Sequence, residues 1–394
     1  MSDAKIRIGV IGLGRAFTLM LPTFQRDRRV RLVAACDPIA AAREQFVHDF
    51  GGRAYEDADA LCRDDEVELV YIASPHQFHA MHVALAARAG KHVLLEKPMA
   101  ITVDECSEII AQMDAAQRAL VVGHSHSFDA PVLSARRIID SGELGAVRMI
   151  HAMNYTDFLY RARRPEELRT DEGGGVIHSQ AAHQVDIVRL LAGGLVRSVR
   201  AYAGAWDAAR PTEGAYSALL DFEGGAFASL TYSGYGHYDS DEQMAWVGEL
   251  GVMRNPAEYG SARSRLRSLK PADEATLKAA RNYGGTNYQP VAPATTHQHF
   301  GPIIVSCERG DLRLSADGVW VYGDDERHFE ALSAPEVPRC EVIDELWSTI
   351  RNGIAARHDG RWARATTEAS LAILASGREA GREVTLKHQV SWRR

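Results

Sequence analysis

Ile6-Arg7-Ile8-Gly9-Val10-Ile11 runs directly into Gly12-Leu13-Gly14-Arg15-Ala16-Phe17, and an apolar helical pattern through Leu19, Met20, Leu21 and Phe24 follows. A strand, a glycine turn and a helix in immediate succession form the phosphate-binding opening of a βαβ unit. Gly12 permits the tight turn, and Gly14 lets backbone approach a pyrophosphate held at the helix N-terminus. A second strand, Arg31-Leu32-Val33-Ala34-Ala35-Cys36, ends in Asp37. That acid lies about twenty residues past the glycines, where a carboxylate bonds the adenosine ribose hydroxyls. Asp37 would repel a 2′-phosphate, which favours NAD over NADP, with Arg43 as a moderating charge. Phe17 stands where glycine or alanine usually allows close helix–strand packing, so the first helix is expected to sit further off the sheet.

The alternation continues outward. Val67 to Ala73 reads as a strand, followed by Ser74-Pro75 and a helix through His79 and Leu85. Gly90-Lys91-His92-Val93-Leu94-Leu95-Glu96-Lys97-Pro98 is a short buried strand closing on a carboxylate, a lysine and a proline. Pro98 disfavours the helical region for the residue before it, so Lys97 is held extended. A lysine at the carboxyl end of a parallel strand points into the crevice where open α/β sheets bind ligands. Partial desolvation there would lower its pKa and let it move protons. Taken alone, the segment gives no more than a surface lysine in a turn.

Residues 1–124 thus read as a doubly wound parallel sheet. Beyond Gly123 the strands come in neighbouring pairs, at roughly 146–156, 196–206, 215–222, 226–235 and 243–249, with a hairpin signal at Gly224-Gly225. The fold class is α/β: an N-terminal Rossmann sheet, then an α+β domain over 125–394 with a mostly antiparallel sheet. Residues 254–298 form an irregular insertion, either a loop over the site or an oligomer arm.

Composition sets limits on function. The net charge is −7 with both signs mixed, which predicts neither nucleic-acid nor membrane binding. No apolar run approaches a membrane span, and the first residues lack a signal-peptide core. The five cysteines are scattered without a CxxC pair, as expected in a reducing cytoplasm. Among 16 histidines, the sets His76/His79/His82, His124/His126 and His297/His299 lack a third ligand at zinc spacing, so no metal is expected. His124 and His126 follow the last strand of the first domain and are candidate donors to the cleft.

Together the glycine turn, Ser74-Pro75 with His79, the Glu96-Lys97-Pro98 run, and Gly173-Gly174-Gly175 followed by His183 and Asp186 resemble the glucose–fructose oxidoreductase/inositol dehydrogenase/rhizopine catabolism family. The resemblance spans essentially the whole chain. It implies a Rossmann domain joined to a domain with a large open sheet, a nicotinamide cofactor, and a homodimer or homotetramer packed through the second domain. It also implies that Lys97 and His183 face the substrate hydroxyl as catalytic residues. The cofactor-binding candidates are Gly12, Gly14, Arg15, Ala16, Phe17, Asp37, Ser74, Pro75, His76, His79, Glu96 and Lys97.

This chain departs from the family pattern at Ser179, four residues before His183, where an aspartate holds sugar hydroxyls in sugar-oxidising members. Upstream, Asp157-Phe158-Leu159-Tyr160-Arg161-Ala162-Arg163-Arg164-Pro165 gathers three arginines. Guanidinium forks suit a carboxylate, so the substrate is expected to be a small anion. The competing reading pairs these arginines with Glu166, Glu167, Asp171 and Glu172, and at least one is expected to do so. The substrate-binding candidates are Arg161, Arg163, Arg164, His178, Ser179, Gln180, His124 and Asp186. Asp186 either orients the His183 imidazole or bridges helices.

Asn154-Tyr155-Thr156-Asp157-Phe158, the run from Ser179 to Leu191, and His297-Gln298-His299-Phe300-Gly301-Pro302 resemble a subgroup. Its members are phthalate 4,5-cis-dihydrodiol dehydrogenases and chlorobenzoate dihydrodiol dehydrogenases. A sugar, anhydrosugar or cyclitol dehydrogenase and a non-catalytic NAD-binding sensor are the alternatives.

Overall fold

The computed structural model describes residues 5–270 and 273–392; residues 271 and 272 of the expected insertion lie outside the described residues. Two compact units emerge. The first contains the chain up to His124 and also Ala275–Ala292 and Val337–Arg364; the second contains Ser125–Glu274, Pro293–Glu336 and Ala365–Arg394.

In the first unit six strands run in the order β3-β2-β1-β4-β5-β6, all parallel. They are β1 (Ile6–Ile11), β2 (Val30–Cys36), β3 (Arg53–Tyr55), β4 (Leu69–Ile72), β5 (His92–Leu95) and β6 (Leu120–Val122). Strand order reverses between β1 and β4, which is where open α/β sheets bind their ligands. Near-continuous apolar strands suit a sheet covered on both faces, and β4 is buried along its whole length. Helix α1 (Arg15–Arg26) opens directly from the glycine turn and buries Phe17, Met20, Leu21 and Phe24.

The first unit leaves the chain at His124 and regains it in two later segments, Ala275–Ala292 and Val337–Arg364. Long-range bonds explain why. The Thr23 hydroxyl donates to the Pro338 carbonyl at 2.6 Å, and Arg351 binds Glu68 through both guanidinium nitrogens, one at 2.9 Å. Such contacts have no local sequence signature.

The second unit is built on a nine-stranded sheet in the order β14-β13-β12-β11-β7-β10-β9-β8-β15. Its strands are β7 (Val147–Tyr155), β8 (Val196–Gly204), β9 (Ala215–Phe222), β10 (Phe227–Ser233), β11 (Ile303–Cys307), β12 (Gly310–Ser315), β13 (Gly318–Tyr322), β14 (Arg327–Ala331) and β15 (Val384–Thr385). All neighbouring pairs are antiparallel except β7 with β10. Alternation decides the faces: Tyr216, Ala218, Leu220 and Phe222 of β9 point inward, as do Ala228, Leu230 and Tyr232 of β10. Helix α2 (Ala182–Ala192) packs on this inner face, where Gln184 accepts from the Tyr216 hydroxyl at 2.8 Å. The expected strand at 243–249 does not form. Ser240–Met244 is a 3₁₀ turn, Ala245 and Trp246 take positive φ, and only a single bridge joins Val247 to Met253.

Candidate active site

The first unit holds the cofactor cradle. Gly12 has φ +94°, and a Cβ there would stand 2.8 Å from the Ala73 carbonyl oxygen, so only glycine fits where β1 turns against the end of β4. A Cβ on Gly14 would meet nothing nearer than the Asn282 amide nitrogen at 3.9 Å, which leaves room for a pyrophosphate at the start of α1. The Asp37 carboxylate accepts from the backbone N–H groups of Leu13 at 2.7 Å and Ile39 at 2.9 Å, which orients it beside the turn. The residues therefore fit a dinucleotide. Arg43 donates to the carbonyls of Asp37 at 2.8 Å and Pro38 at 3.1 Å and pairs with Glu56, so its fork is already engaged. Arg15 is exposed at the mouth of the turn and Ala16 is half-buried behind it.

Phe17 also belongs to this unit. It is fully buried and packs edge-on against Tyr283, with ring centroids 5.2 Å apart, so its bulk fits against the later segment. His79 is fully buried. Its ring nitrogens face the carbonyls of Pro98 and Ser74, each at 3.0 Å, and burial lowers its pKa. His79 thus ties the Ser74-Pro75 turn to the Lys97-Pro98 turn. Glu96 is likewise structural: it accepts from the buried Tyr71 hydroxyl at 2.5 Å, and burial raises its pKa against the pull of Tyr71 and Arg339. The Ser74 hydroxyl meets His82 at 2.9 Å, and His76 lies half-buried with its ring 5.7 Å from His79. Lys97 is half-buried just past β5, on the same carboxyl edge as the glycine turn, joined to Pro98 by a cis peptide. His124 is buried directly after β6.

The second unit gathers His183, His126, Phe300 and Tyr232. A short π-helical stretch, Ile177–Ala181, leads into α2, and His183 sits in the first turn. Its ring lies 4.7 Å from that of His126 and 5.1 Å from that of Phe300. Phe300 in turn stacks on Tyr232 at 6.0 Å. The backbone N–H of His126 donates to His183 Nδ1 at 3.4 Å. A donor at Nδ1 requires a lone pair there, so neutral His183 carries its proton on Nε2.

Asp186 serves as a bridge. Its carboxylate accepts from the hydroxyls of Ser127 and Thr366, the latter at 2.7 Å, with Arg189 at 4.0 Å. The Ser179 hydroxyl donates back to the Gly175 carbonyl, a local bond suited to a loosened helical turn. Gln180 accepts weakly from the Tyr232 hydroxyl at 3.4 Å, which joins it to the aromatic group. His178 instead bonds Thr170 backbone; burial lowers its pKa to about 4, so it is neutral at pH 7.

The three arginines separate. Arg164 pairs with Glu166 at 3.0 Å. Arg163 lies over the Phe158 ring at 3.6 Å, donates to the Phe158 carbonyl at 2.6 Å, and is pulled down to about 10 by burial, opposed by Glu167. Arg161 holds Asp157 through Nε at 3.0 Å and keeps its side chain 43 % exposed. Burial and Glu249 raise the Tyr232 phenol while Arg161 and Arg163 pull it down, so both guanidinium groups act on the aromatic cluster. Tyr232 and Phe300 join this aromatic group without a local sequence signal, although Phe300 lies in the His297–Pro302 stretch. The described residues hold no group of three or more His, Cys, Asp or Glu arranged for a metal.

Residues 6–124 match a model described as an oxidoreductase family with an NAD-binding Rossmann fold, and residues 132–254 match the GFO/IDH/MocA C-terminal domain. A 1-carboxy-3-chloro-3,4-dihydroxycyclohexa-1,5-diene dehydrogenase from Comamonas testosteroni is 50% identical over 377 residues, 95% of each chain. This chain belongs to the GFO/IDH/MocA family. It is accordingly an oxidoreductase with an NAD-binding Rossmann domain. Among solved GFO/IDH/MocA-like structures, a dehydrogenase from Bordetella bronchiseptica superposes with TM-score 0.91 at 40% identity, covering 97% of this chain and all of that one. An inositol 2-dehydrogenase from Salmonella typhimurium is 27% identical over 201 residues, half of this chain and 57% of its own length. An aldose–aldose oxidoreductase from Caulobacter crescentus shares the GFO/IDH/MocA fold at TM-score 0.71 and 22% identity, covering 97% of this chain and all of that one.

Proposed function

We propose that the protein oxidises a carboxylated cyclohexadiene cis-diol to the catechol with NAD+. The observation that carries this reading is the aromatic cluster, Tyr232 stacked on Phe300 with the His183 ring tilted against it, within the field of the Arg161 guanidinium. A planar ring with a carboxylate matches both features. The Comamonas relative, whose name specifies a carboxylated dihydroxycyclohexadiene, supports it. Ser179, in place of the sugar-binding aspartate, argues against a polyol.

The Gly12–Gly14 turn and Asp37 would hold NAD+, which would supply the acceptor for the hydride leaving the hydroxyl-bearing carbon. Lys97 takes the hydroxyl proton, and the resulting enone tautomerises to the catechol, whose aromaticity drives the reaction. His183, protonated on Nε2, donates to a substrate oxygen and so positions the diol. Asp37 beside the turn, with the Arg43 fork engaged, supports NAD over NADP.

The test is NADH formation with a phthalate or benzoate cis-dihydrodiol, run beside glucose, inositol, an anhydrosugar and an NADP+ arm. Reduction is expected with the dihydrodiol and NAD+ alone. Arg161→Ala should raise KM for the carboxylated diol roughly tenfold to a hundredfold, the loss of one charge-assisted bond, with an uncharged cis-diol unaffected. Turnover of a sugar alone would overturn the assignment.

We further propose a homo-oligomer joined through the outer face of the nine-stranded sheet. That face exposes Met149, Leu219, Phe227 and Ile304 by 40–54 % each, more apolar surface than isolated residues would give. Light scattering should return a dimer or tetramer, and a monomer at micromolar concentration would contradict it. A cytoplasmic location fits five free cysteines; no described helix is long and apolar enough to cross a membrane.

A further inference from the structure

Residues 275–292 come from the insertion, yet they fold back onto the cofactor cradle of the first unit. Tyr283 is buried against Phe17, and its hydroxyl donates to Asp49 at 2.6 Å. Gly284, at φ +72°, lies so close to the helix Ala40–Phe50 that a Cβ would stand 2.6 Å from Ala42 Cα. Tyr288 packs edge-on against Tyr283 at 5.5 Å. The segment is therefore latched at Phe17, Ala42 and Asp49, around the glycine turn. Between the latches, the Asn282 amide nitrogen stands 3.9 Å from the place a Gly14 side chain would occupy, the nearest described atom beyond Gly14 and its chain neighbours. In a glycine turn of this kind that place belongs to the pyrophosphate.

We propose that Ala275–Ala292 is a built-in clamp on the dinucleotide, with Asn282 donating a hydrogen bond to the pyrophosphate and the Phe17–Tyr283 contact holding the clamp shut. This rests on the nicotinamide-cofactor assignment. It explains why Phe17 replaces the usual small residue: a large ring at that helix position is the seat for Tyr283.

The experiment measures NADH binding to the substrate-free protein by fluorescence titration and stopped-flow release. Asn282→Ala should raise the NADH Kd roughly tenfold to a hundredfold, the loss of one hydrogen bond to a charged group. Asn282→Asp should weaken binding further, because a carboxylate repels the pyrophosphate. Tyr283→Ala should release NADH faster by at least a similar factor. Should that variant fold poorly, hydrogen exchange on the wild-type chain provides the second reading, with NADH slowing exchange at the amides of residues 280–288. Unchanged Kd in both Asn282 variants, or exchange in that stretch indifferent to NADH, would overturn the clamp while leaving the cofactor assignment intact. A wild-type protein that binds neither NADH nor NADPH would overturn both.

Discussion

Lys97→Ala is expected to lower kcat on the dihydrodiol by about 10² to 10⁴, the usual contribution of a positioned general base. NADH affinity should change little, since the glycine turn and Asp37 stay in place. The assignment of the base to Lys97 rests on His183. Its Nδ1 faces the His126 N–H at 3.4 Å, an arrangement that favours the proton on Nε2 and so leaves the base role in the proposed reaction to Lys97. A Lys97→Ala protein that kept most of its turnover, with NADH still bound, would remove Lys97 from the mechanism.

Arg189→Met should cost about 3–5 kcal/mol of stability, the penalty for leaving one partner of a buried charged network uncompensated. Arg189 is fully buried and donates to the Thr366 hydroxyl at 2.6 Å and to Gln389 at 3.1 Å. Burial pulls its pKa down to about 10, with Asp186 and Glu368 opposing the shift. The Thr366 hydroxyl in turn donates a hydrogen bond to Asp186, which also accepts from the Ser127 hydroxyl, next to His126. The network therefore fixes the histidine pair as well as the fold. The double variant Asp186→Asn/Arg189→Met removes both charges and should recover part of the loss in a denaturant titration. A single variant within about 1 kcal/mol of wild type would show that the network is not a stabilising tie.

Local signals made much of this molecule legible. The strand–glycine–helix–strand run ending in Asp37 determined the first unit, because each step depends on neighbours a few residues apart. The same held for the β9–β10 hairpin at Gly224-Gly225 and for Lys97, held at a strand end by Pro98. The motifs around His183 carried the family, and Ser179 with the arginines narrowed the substrate class. Tertiary structure alone decided the rest. That Arg163 is the buried one of the three arginines, while Arg161 and Arg164 pair with Asp157 and Glu166 nearer the surface, depended on contacts made in space. That Asp186 accepts from Ser127 and Thr366, both distant in sequence, likewise came only from the fold. Phe17 looked like a packing defect until Tyr283 arrived from the insertion to fill its surroundings. Periodicity and turn chemistry act over a few residues, whereas burial and ionic partnership are set by contacts that no local pattern encodes.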